Sequence, residues 1–436
     1  MATDLHAPPR HLIRPEILAA TDALGEELTE EALREHIWPL FSRVLNRPIH
    51  PKLGRPEIYL ANHSLGRPLD CTADDVMGAL DLWYRDLDAA WDGWMEARDK
   101  FRALVAALLG VERADCVVPK TSAGQGLRAV LNALLRPDRP LSIVATRGEF
   151  DSIDFILKMY ADKGWAQVHW VEASGGRQGV PCMTKADITG AVAAHNPDLL
   201  VVSGAFFSTG QVLEAALWEI AEFAHKADTL VLADLYHKVG VVPPCLDRWN
   251  PWIDFAIGGS YKYIRGGPGA CWLYINPRHL DHDNEPGALR TLDTGWFAKK
   301  DTFKYERTEK PLLAPGGDAW LESTSPFSTC YQALAGMELM LAIGVERLRM
   351  YSIEQQVLMR DIFHGKGVDM FDPDPPAQFG AFSLLPHHNA PALSDALREE
   401  GVNTDARGKY VRFGPDILNS REELELAALI TARVMK

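Results

Sequence analysis

Three short stretches of the chain carry residue types that do chemistry when a fold brings them together. Lys262 stands in Gly258-Gly-Ser-Tyr-Lys-Tyr-Ile-Arg-Gly-Gly-Pro-Gly269, one lysine among aromatic and small residues. Burial lowers a lysine's pKa and frees a neutral amine for Schiff-base chemistry, and flanking glycines allow close backbone approach. A solvated surface lysine would not need that frame. Asp234 and His237 stand in Val231-Leu-Ala-Asp-Leu-Tyr-His237. A carboxylate at the end of an apolar strand is costly without a cationic partner or a protonated ring nitrogen; the plainer alternative is an aspartate that caps a helix. The third stretch is Thr121-Ser-Ala-Gly-Gln-Gly-Leu-Arg-Ala129. It contains Gly-x-Gly-x-x-Ala, with Glu149 near the spacing of a ribose ligand, as in dinucleotide sites. It also offers backbone N–H groups, a helix N-terminus and two hydroxyls to one phosphate, or else is merely a tight strand-to-helix turn.

Taken together, a phosphate cradle, a strand-end carboxylate and a framed lysine describe a site for pyridoxal phosphate. The aspartate keeps the pyridine nitrogen protonated, so that the ring draws electrons, and the lysine holds the aldehyde. A nicotinamide site would use only the first of the three and leave the others idle.

The elements that must position these residues alternate from about residue 110 to 280. Apolar runs predict strands at Cys116-Val-Val-Pro, Leu141-Ser-Ile-Val-Ala, Val168-His-Trp-Val, Leu199-Leu-Val-Val-Ser, Thr229-Leu-Val-Leu-Ala-Asp, Asp254-Phe-Ala-Ile-Gly and Cys271-Trp-Leu-Tyr-Ile. Helices are expected between most of them. Near-continuous apolar strands separated by helices indicate an α/β fold with a seven-stranded, mainly parallel sheet covered on both faces. Cofactors in such sheets bind at the carboxyl ends of the strands. Before the sheet, residues 1–55 read as a helical arm disrupted at Trp38-Pro39. Asp74 to Leu109 has helical spacing at Leu80, Trp83, Leu87, Trp91, Trp94 and Phe101, a buried face from which one or two tryptophans could reach a pocket. The large domain is placed at 56–310. From 311 to 436 a small α+β domain is expected, with a helix from Tyr331 to Met350, another from Ile353 to Lys366, strands at Phe379-Gly-Ala-Phe-Ser-Leu-Leu and Tyr410-Val-Arg-Phe-Gly, and a last helix from Arg421 to Met435.

The chain of 436 residues is 47% hydrophobic and 24% charged, with a net charge of −14. That acidity repels phosphate backbones, so no nucleic-acid partner is expected, and the apolar content excludes disorder. Cysteines 71, 116, 182, 245, 271 and 330 form no Cys-x-x-Cys, and are expected to be reduced thiols. No metal site is expected. Met1 to Arg14 lacks an apolar stretch of signal length, and no run approaches the roughly 18 residues that span a bilayer. A cytoplasmic protein without a membrane partner is expected.

With these motifs in order, the sequence resembles the fold-type I pyridoxal-phosphate enzymes of the aminotransferase class V group, and among them the kynureninases. The likeness runs from about Ile58 to Pro415. It rests on Asn62-His-Ser-Leu-Gly66, Ser203-Gly-Ala-Phe-Phe-Ser-Thr-Gly-Gln211, Asp234-Leu-Tyr-His237, Asp254-Phe-Ala-Ile-Gly-Gly-Ser-Tyr-Lys-Tyr263, Thr294-Gly-Trp-Phe297 and Val411-Arg-Phe-Gly-Pro415. The resemblance implies that Lys262 holds the cofactor, Asp234 pairs with its ring nitrogen, and Phe150 stacks on its face. It implies further that Thr121, Ser122 and the Ala123 amide hold the phosphate with help from Tyr261 and Trp296, and that His237 orients the ring. Arg412 would clamp the substrate α-carboxylate, with Asn62, Ser64 and Ser325 on the substrate side, and Tyr261 would act as general acid. The implied reaction is hydrolytic Cβ–Cγ cleavage of L-kynurenine or an analogue, giving an anthranilate-type product and L-alanine, in a homodimer whose active site lies at the interface.

Three positions depart from the kynureninase pattern. Its Gly-His is absent from Ala89-Ala-Trp-Asp-Gly-Trp94, its Ser-Asn-Pro-Pro reads Thr324-Ser-Pro-Phe327, and its Arg-Gly-x-His reads Gln378-Phe-Gly-Ala381. All three belong to the substrate end of the site. The alternatives are therefore another β-lyase, a cysteine desulfurase or an aminotransferase on a different amino acid. A desulfurase needs a mobile nucleophilic cysteine in the small domain, where only Cys330 stands, at the start of a predicted helix.

Overall fold

The computed structural model describes residues 9–244, 246, 251–280 and 288–436. Its centre is a sheet of β1 (Val117–Lys120), β2 (Leu141–Thr146), β3 (Ala166–Val171), β4 (Leu199–Ser203), β5 (Leu230–Asp234), β6 (Phe255–Gly259) and β7 (Cys271–Ile275). The spatial order is β1-β7-β6-β5-β4-β2-β3, and only β7 runs antiparallel to its neighbours. Strands β4, β6 and β7 are buried at every residue, as in a sheet covered on both faces. These are the seven strands that the apolar runs predict.

Pairing registers bring the chemistry-bearing residues to one end of the sheet. Asp234 lies opposite Ser203 on one side and Ile257 on the other, and Cys271 lies between Lys120 and Gly259. Ser122 follows β1 and caps helix Ala123–Leu134 by accepting from the Gln125 N–H, which starts the helix at the strand end. The loop after β6 then delivers Lys262 to the same edge.

A second sheet of β8 (Ser383–Pro386), β9 (Asp405–Arg407) and β10 (Tyr410–Phe413) is antiparallel in the order β8-β10-β9. Ile58–Tyr59 pairs with Val402–Asn403, and Ile58 and Leu60 pack with Phe363, Leu385 and Phe413. Helix Phe327–Ile343 packs instead into the apolar cluster of the large sheet. Both packings cross the expected boundary at 310.

Two expected helices break. The segment from Asp74 to Leu109 is Thr72–Asp86 and Ala90–Leu109, separated at Leu87, which takes a left-handed φ of 50°. Leu87 and Trp83 are consequently exposed rather than part of one buried face. The Tyr331–Met350 helix is Phe327–Ile343 followed by Val345–His364, because Gly344 at φ 94° turns the chain. The predicted strand from Phe379 is shorter, confined to Ser383–Pro386. Cys71, Cys116, Cys182, Cys271 and Cys330 form no disulfide, and Cys245 lies outside the described residues. Among the described residues no helix is long and apolar enough to cross a membrane, and no group of His, Cys, Asp or Glu could hold a metal.

Candidate active site

A cavity of about 660 Å³ opens at the carboxyl ends of the strands, lined by Thr121, Ser122, Ala123, Phe150, Asp234, His237, Tyr261 and Lys262. Eight of the predicted site residues are thus brought together. The buried Lys262 Nζ lies 2.6 Å from His237 Nε2, and 4.6 Å, 5.4 Å and 5.6 Å from the ring centres of Tyr236, Phe150 and Tyr261. Burial pushes this amine down from its ordinary value, against the pull of Asp234, which makes the neutral nucleophile available. Gly66 presses on the same loop: its N–H donates to the Tyr261 carbonyl at 2.8 Å, and a Cβ there would lie 2.0 Å from the Lys262 carbonyl oxygen.

These residues fit pyridoxal phosphate. Asp234 is buried and accepts one N–H, from Tyr236 at 2.8 Å. Burial pushes its carboxyl up further than that bond and the charge of Lys262 pull it down, so the pocket holds a carboxylate that lacks a full counter-charge. A protonated pyridine nitrogen supplies one. His237 Nδ1 is buried without a partner in the same cavity. Phe150 is held edge-on by Phe207 at 5.3 Å, a flat apolar wall for a ring. At the phosphate end, the Thr121 N–H and hydroxyl donate to Gln125 Oε1 at 2.7 Å and 3.0 Å, and Gln125 Nε2 donates to Glu322 at 2.6 Å. Burial pushes the Tyr261 phenol up, so it stays a proton donor.

Arg412, on β10, is buried and does not itself line this cavity; it meets the cavity wall through Phe207, which does. Its Nε and Nη2 donate to the two carboxylate oxygens of Asp405 at 2.7 Å and 2.5 Å, its Nη1 donates to the Phe207 carbonyl, and its guanidinium lies 5.2 Å from the Phe382 ring centre. Ser64 donates to Asp405 and stands 3.4 Å from Arg412 Nη2. Sequence reasoning named Arg412 and Ser64 but missed Asp405 and His63, whose only sequence signal is a charged residue in a short strand and a histidine inside a recognised motif.

Three predicted residues stand elsewhere in the chain. Asn62 is turned into the backbone, donating to the Gly414 carbonyl at 2.9 Å, and lines a separate small cavity with Tyr263 and Arg265. Ser325 lines a neighbouring cavity of about 110 Å³ that shares Thr121, Gly269 and Cys271 with the main one. Trp296 donates to Thr324 Oγ1 at 3.2 Å and packs edge-on against Trp91 at 5.9 Å, in an aromatic group with Trp94 and Phe327. Within one chain that group lies outside the lining of the Lys262 cavity.

Glu149 has no ribose role. Its buried carboxylate accepts from the Thr146 hydroxyl at 2.6 Å, the Ser203 N–H at 3.0 Å and the Ser203 hydroxyl at 2.6 Å. Burial, together with the charge of Asp234, pushes the carboxyl up to about 7 from 4.5 against those bonds. A group that binds its proton more tightly folded than unfolded lends stability below its unfolded pKa and loses it as pH rises through the folded one. Between pH 5 and pH 8 the cofactor-free protein should therefore lose stability on the order of 3 kcal/mol more than a Glu149→Gln variant. Denaturant melts at the two pH values check this, and equal losses would refute it. Cys330 is buried in its helix, and burial pushes its thiol up to about 12. It is placed as core, not as a nucleophile.

The family model for aminotransferase class-V matches residues 87–404. Kynureninase of Geobacillus thermodenitrificans is 26% identical over 79% of this chain and 79% of its own, and kynureninase of Salinispora tropica 27% identical over 82% and 85%. Among solved structures, the cystine C–S lyase C-DES in complex with cysteine persulfide superposes with a TM-score of 0.73 at 18% identity, covering 86% of this chain and 97% of that one. The apo cysteine desulfurase of Thermococcus onnurineus superposes with a TM-score of 0.69 at 17% identity, covering 86% and 94%. At those identities the structural likeness speaks for the fold.

Proposed function

Because the chain belongs to the aminotransferase class-V family and takes pyridoxal phosphate as its cofactor, we propose that it cleaves an amino acid beyond the β-carbon, by kynureninase-like hydrolysis of the Cβ–Cγ bond. The observation that carries the reading is the buried contact of Lys262 with His237, in one cavity with Asp234. Bound there, the cofactor supplies a sink for the electron pair released at the α-carbon. Asp234 keeps the proton on the ring nitrogen. Lys262 Nζ removes the α-proton and returns one after cleavage, with His237 Nε2 as its hydrogen-bond partner. Water adds to the γ-carbonyl carbon, Tyr261 donates its phenolic proton where charge develops beyond Cβ, and the acyl fragment leaves as its carboxylic acid when Cβ–Cγ breaks. Phe150 packs on the ring face, and Thr121, Ser122 and the Ala123 N–H hold the phosphate. Arg412 holds the substrate α-carboxylate.

We propose a homodimer with the site at its interface. Its support is the exposed apolar face of helix Thr72–Asp86, where Met77, Trp83 and Tyr84 are 52%, 56% and 80% exposed. In such an assembly Trp296 and Ser325 would serve the neighbouring chain's cavity.

The substrate test compares L-kynurenine and 3-hydroxykynurenine under identical conditions, with products identified by mass spectrometry. The kynureninase Gly-His and Ser-Asn positions are replaced in this chain, so the ring hydroxyl lacks its polar partners. An unpaired polar group lowers kcat/KM by about one to two orders of magnitude, and that deficit is expected for the hydroxylated substrate. Equal or higher efficiency would overturn the pocket reading. Turnover of neither compound, with release of pyruvate and ammonia from another β-substituted amino acid, would favour a different β-lyase, and release of alanine from cysteine a desulfurase.

A further inference from the structure

Asp405 is the most heavily bonded carboxylate near the cavity. It accepts from Arg412 Nε at 2.7 Å, from Arg412 Nη2 at 2.5 Å, from His63 Nε2 at 2.9 Å and from the Ser64 hydroxyl. Asp405 and Arg412 are direct cross-strand partners of β9 and β10, so the pair is set by the register of the sheet. His63 is fully buried and its ring lies 4.8 Å from Phe382, the same ring that Arg412 covers. Burial pushes His63 down to about 4, so the ring is neutral at ordinary pH. Its one proton is on Nε2, where Asp405 waits. Nδ1 faces Gly414, where a Cβ would lie 2.4 Å away.

A guanidinium has five N–H donors in a rigid fork. In Arg412, Asp405 takes the edge formed by Nε and Nη2, and the Phe207 carbonyl takes one hydrogen of Nη1. One hydrogen on each terminal nitrogen is left, and the only further contact among the described residues is the long one of 3.4 Å from Nη2 to Ser64 Oγ. With the Phe207 carbonyl on the Cδ-side hydrogen of Nη1, those two hydrogens form the pair that a carboxylate grips in bidentate fashion. We propose that Asp405, steadied by His63 and Ser64, is a positioning residue that fixes the guanidinium plane of Arg412 and leaves its terminal edge for the substrate α-carboxylate. The inference rests on Arg412 being the carboxylate clamp of the proposed function. Since Asp405 also neutralises Arg412, the clamp selects by orientation and not by surplus charge.

The experiment titrates the holoenzyme with L-alanine and with L-alaninamide, which differ in the carboxylate alone, and follows the cofactor absorbance. Wild type is expected to prefer L-alanine. Asp405→Asn is expected to cut that preference by about tenfold or more, as truncation of one partner of a buried charge pair does, with most of the loss in the affinity for L-alanine. Asp405→Glu is expected to restore part of it. A general structural defect would weaken both ligands equally and leave the ratio unchanged. Should Asp405→Asn fail to fold, His63→Gln removes the aromatic support while keeping a donor, and is expected to lower the same ratio by a few-fold. A ratio unchanged or raised in these variants would overturn the role of Asp405 alone. No preference for L-alanine in the wild type would overturn the assignment of Arg412, and the inference with it.

Discussion

Lys262→Ala should retain no covalently bound cofactor and should lose turnover by at least about four orders of magnitude, the upper range for loss of a positioned acid–base group. The expectation follows from geometry. Lys262 is the one lysine among the described residues that line the main cavity, and its amine lies against the rings of Tyr236, Phe150 and Tyr261. Lys120 is also buried, but its amine donates to the Trp320 carbonyl at 2.9 Å beside Glu322, in the neighbouring cavity. It is held as a structural cation and cannot move to the cofactor without giving up Glu322 and leaving the Trp320 carbonyl without its donor. Borohydride reduction followed by intact-mass measurement checks the prediction. One adduct per chain, mapped to Lys262, is expected in wild type and none in the variant. An adduct of equal stoichiometry in Lys262→Ala would show that another amine carries the cofactor.

The sheet and the centre of the site were legible in the sequence for the same reason. A parallel sheet covered on both faces makes each strand a continuous apolar run, and the residues that follow such runs stand at one edge. Thr121 to Ala123, Phe150, Asp234, His237 and Lys262 each lie within a few residues of a strand end, so local reading sufficed. What local reading could not reach were contacts between distant segments. Asp405 meets His63 across most of the chain, and Glu149 meets Ser203 from the next strand but one in sequence. Neither pairing leaves a mark on its own neighbourhood. The break at Leu87 is hidden too, since a leucine with positive φ carries no signal of its own, whereas Gly344 did offer one. Trp296 and Ser325 were assigned by resemblance to other chains, and a single chain places them in different surroundings.

Asp234→Asn should separate catalysis from stability. In the folded protein the Asp234 carboxylate is buried between β4 and β6, with one N–H from Tyr236 and the charge of Lys262 to offset its desolvation. Its folded pKa is raised, so whatever stability it lends is present below the unfolded carboxyl pKa and is lost as pH rises through the folded one. At pH 8 the charge therefore works against folding, and an asparagine, which can still accept the Tyr236 N–H, removes that burden. The cofactor-free variant should melt at the same temperature as wild type or higher. Catalysis should move the other way. A neutral amide cannot hold a proton on the ring nitrogen, and the ring then withdraws electrons poorly. Turnover with added cofactor is expected to fall by about two to four orders of magnitude, the range for loss of a group that holds a proton in the transition state. Calorimetry on the cofactor-free protein and steady-state kinetics on the reconstituted enzyme check the two halves. A clear fall in melting temperature with turnover retained would mean that Asp234 belongs to the core of the sheet and not to its chemistry.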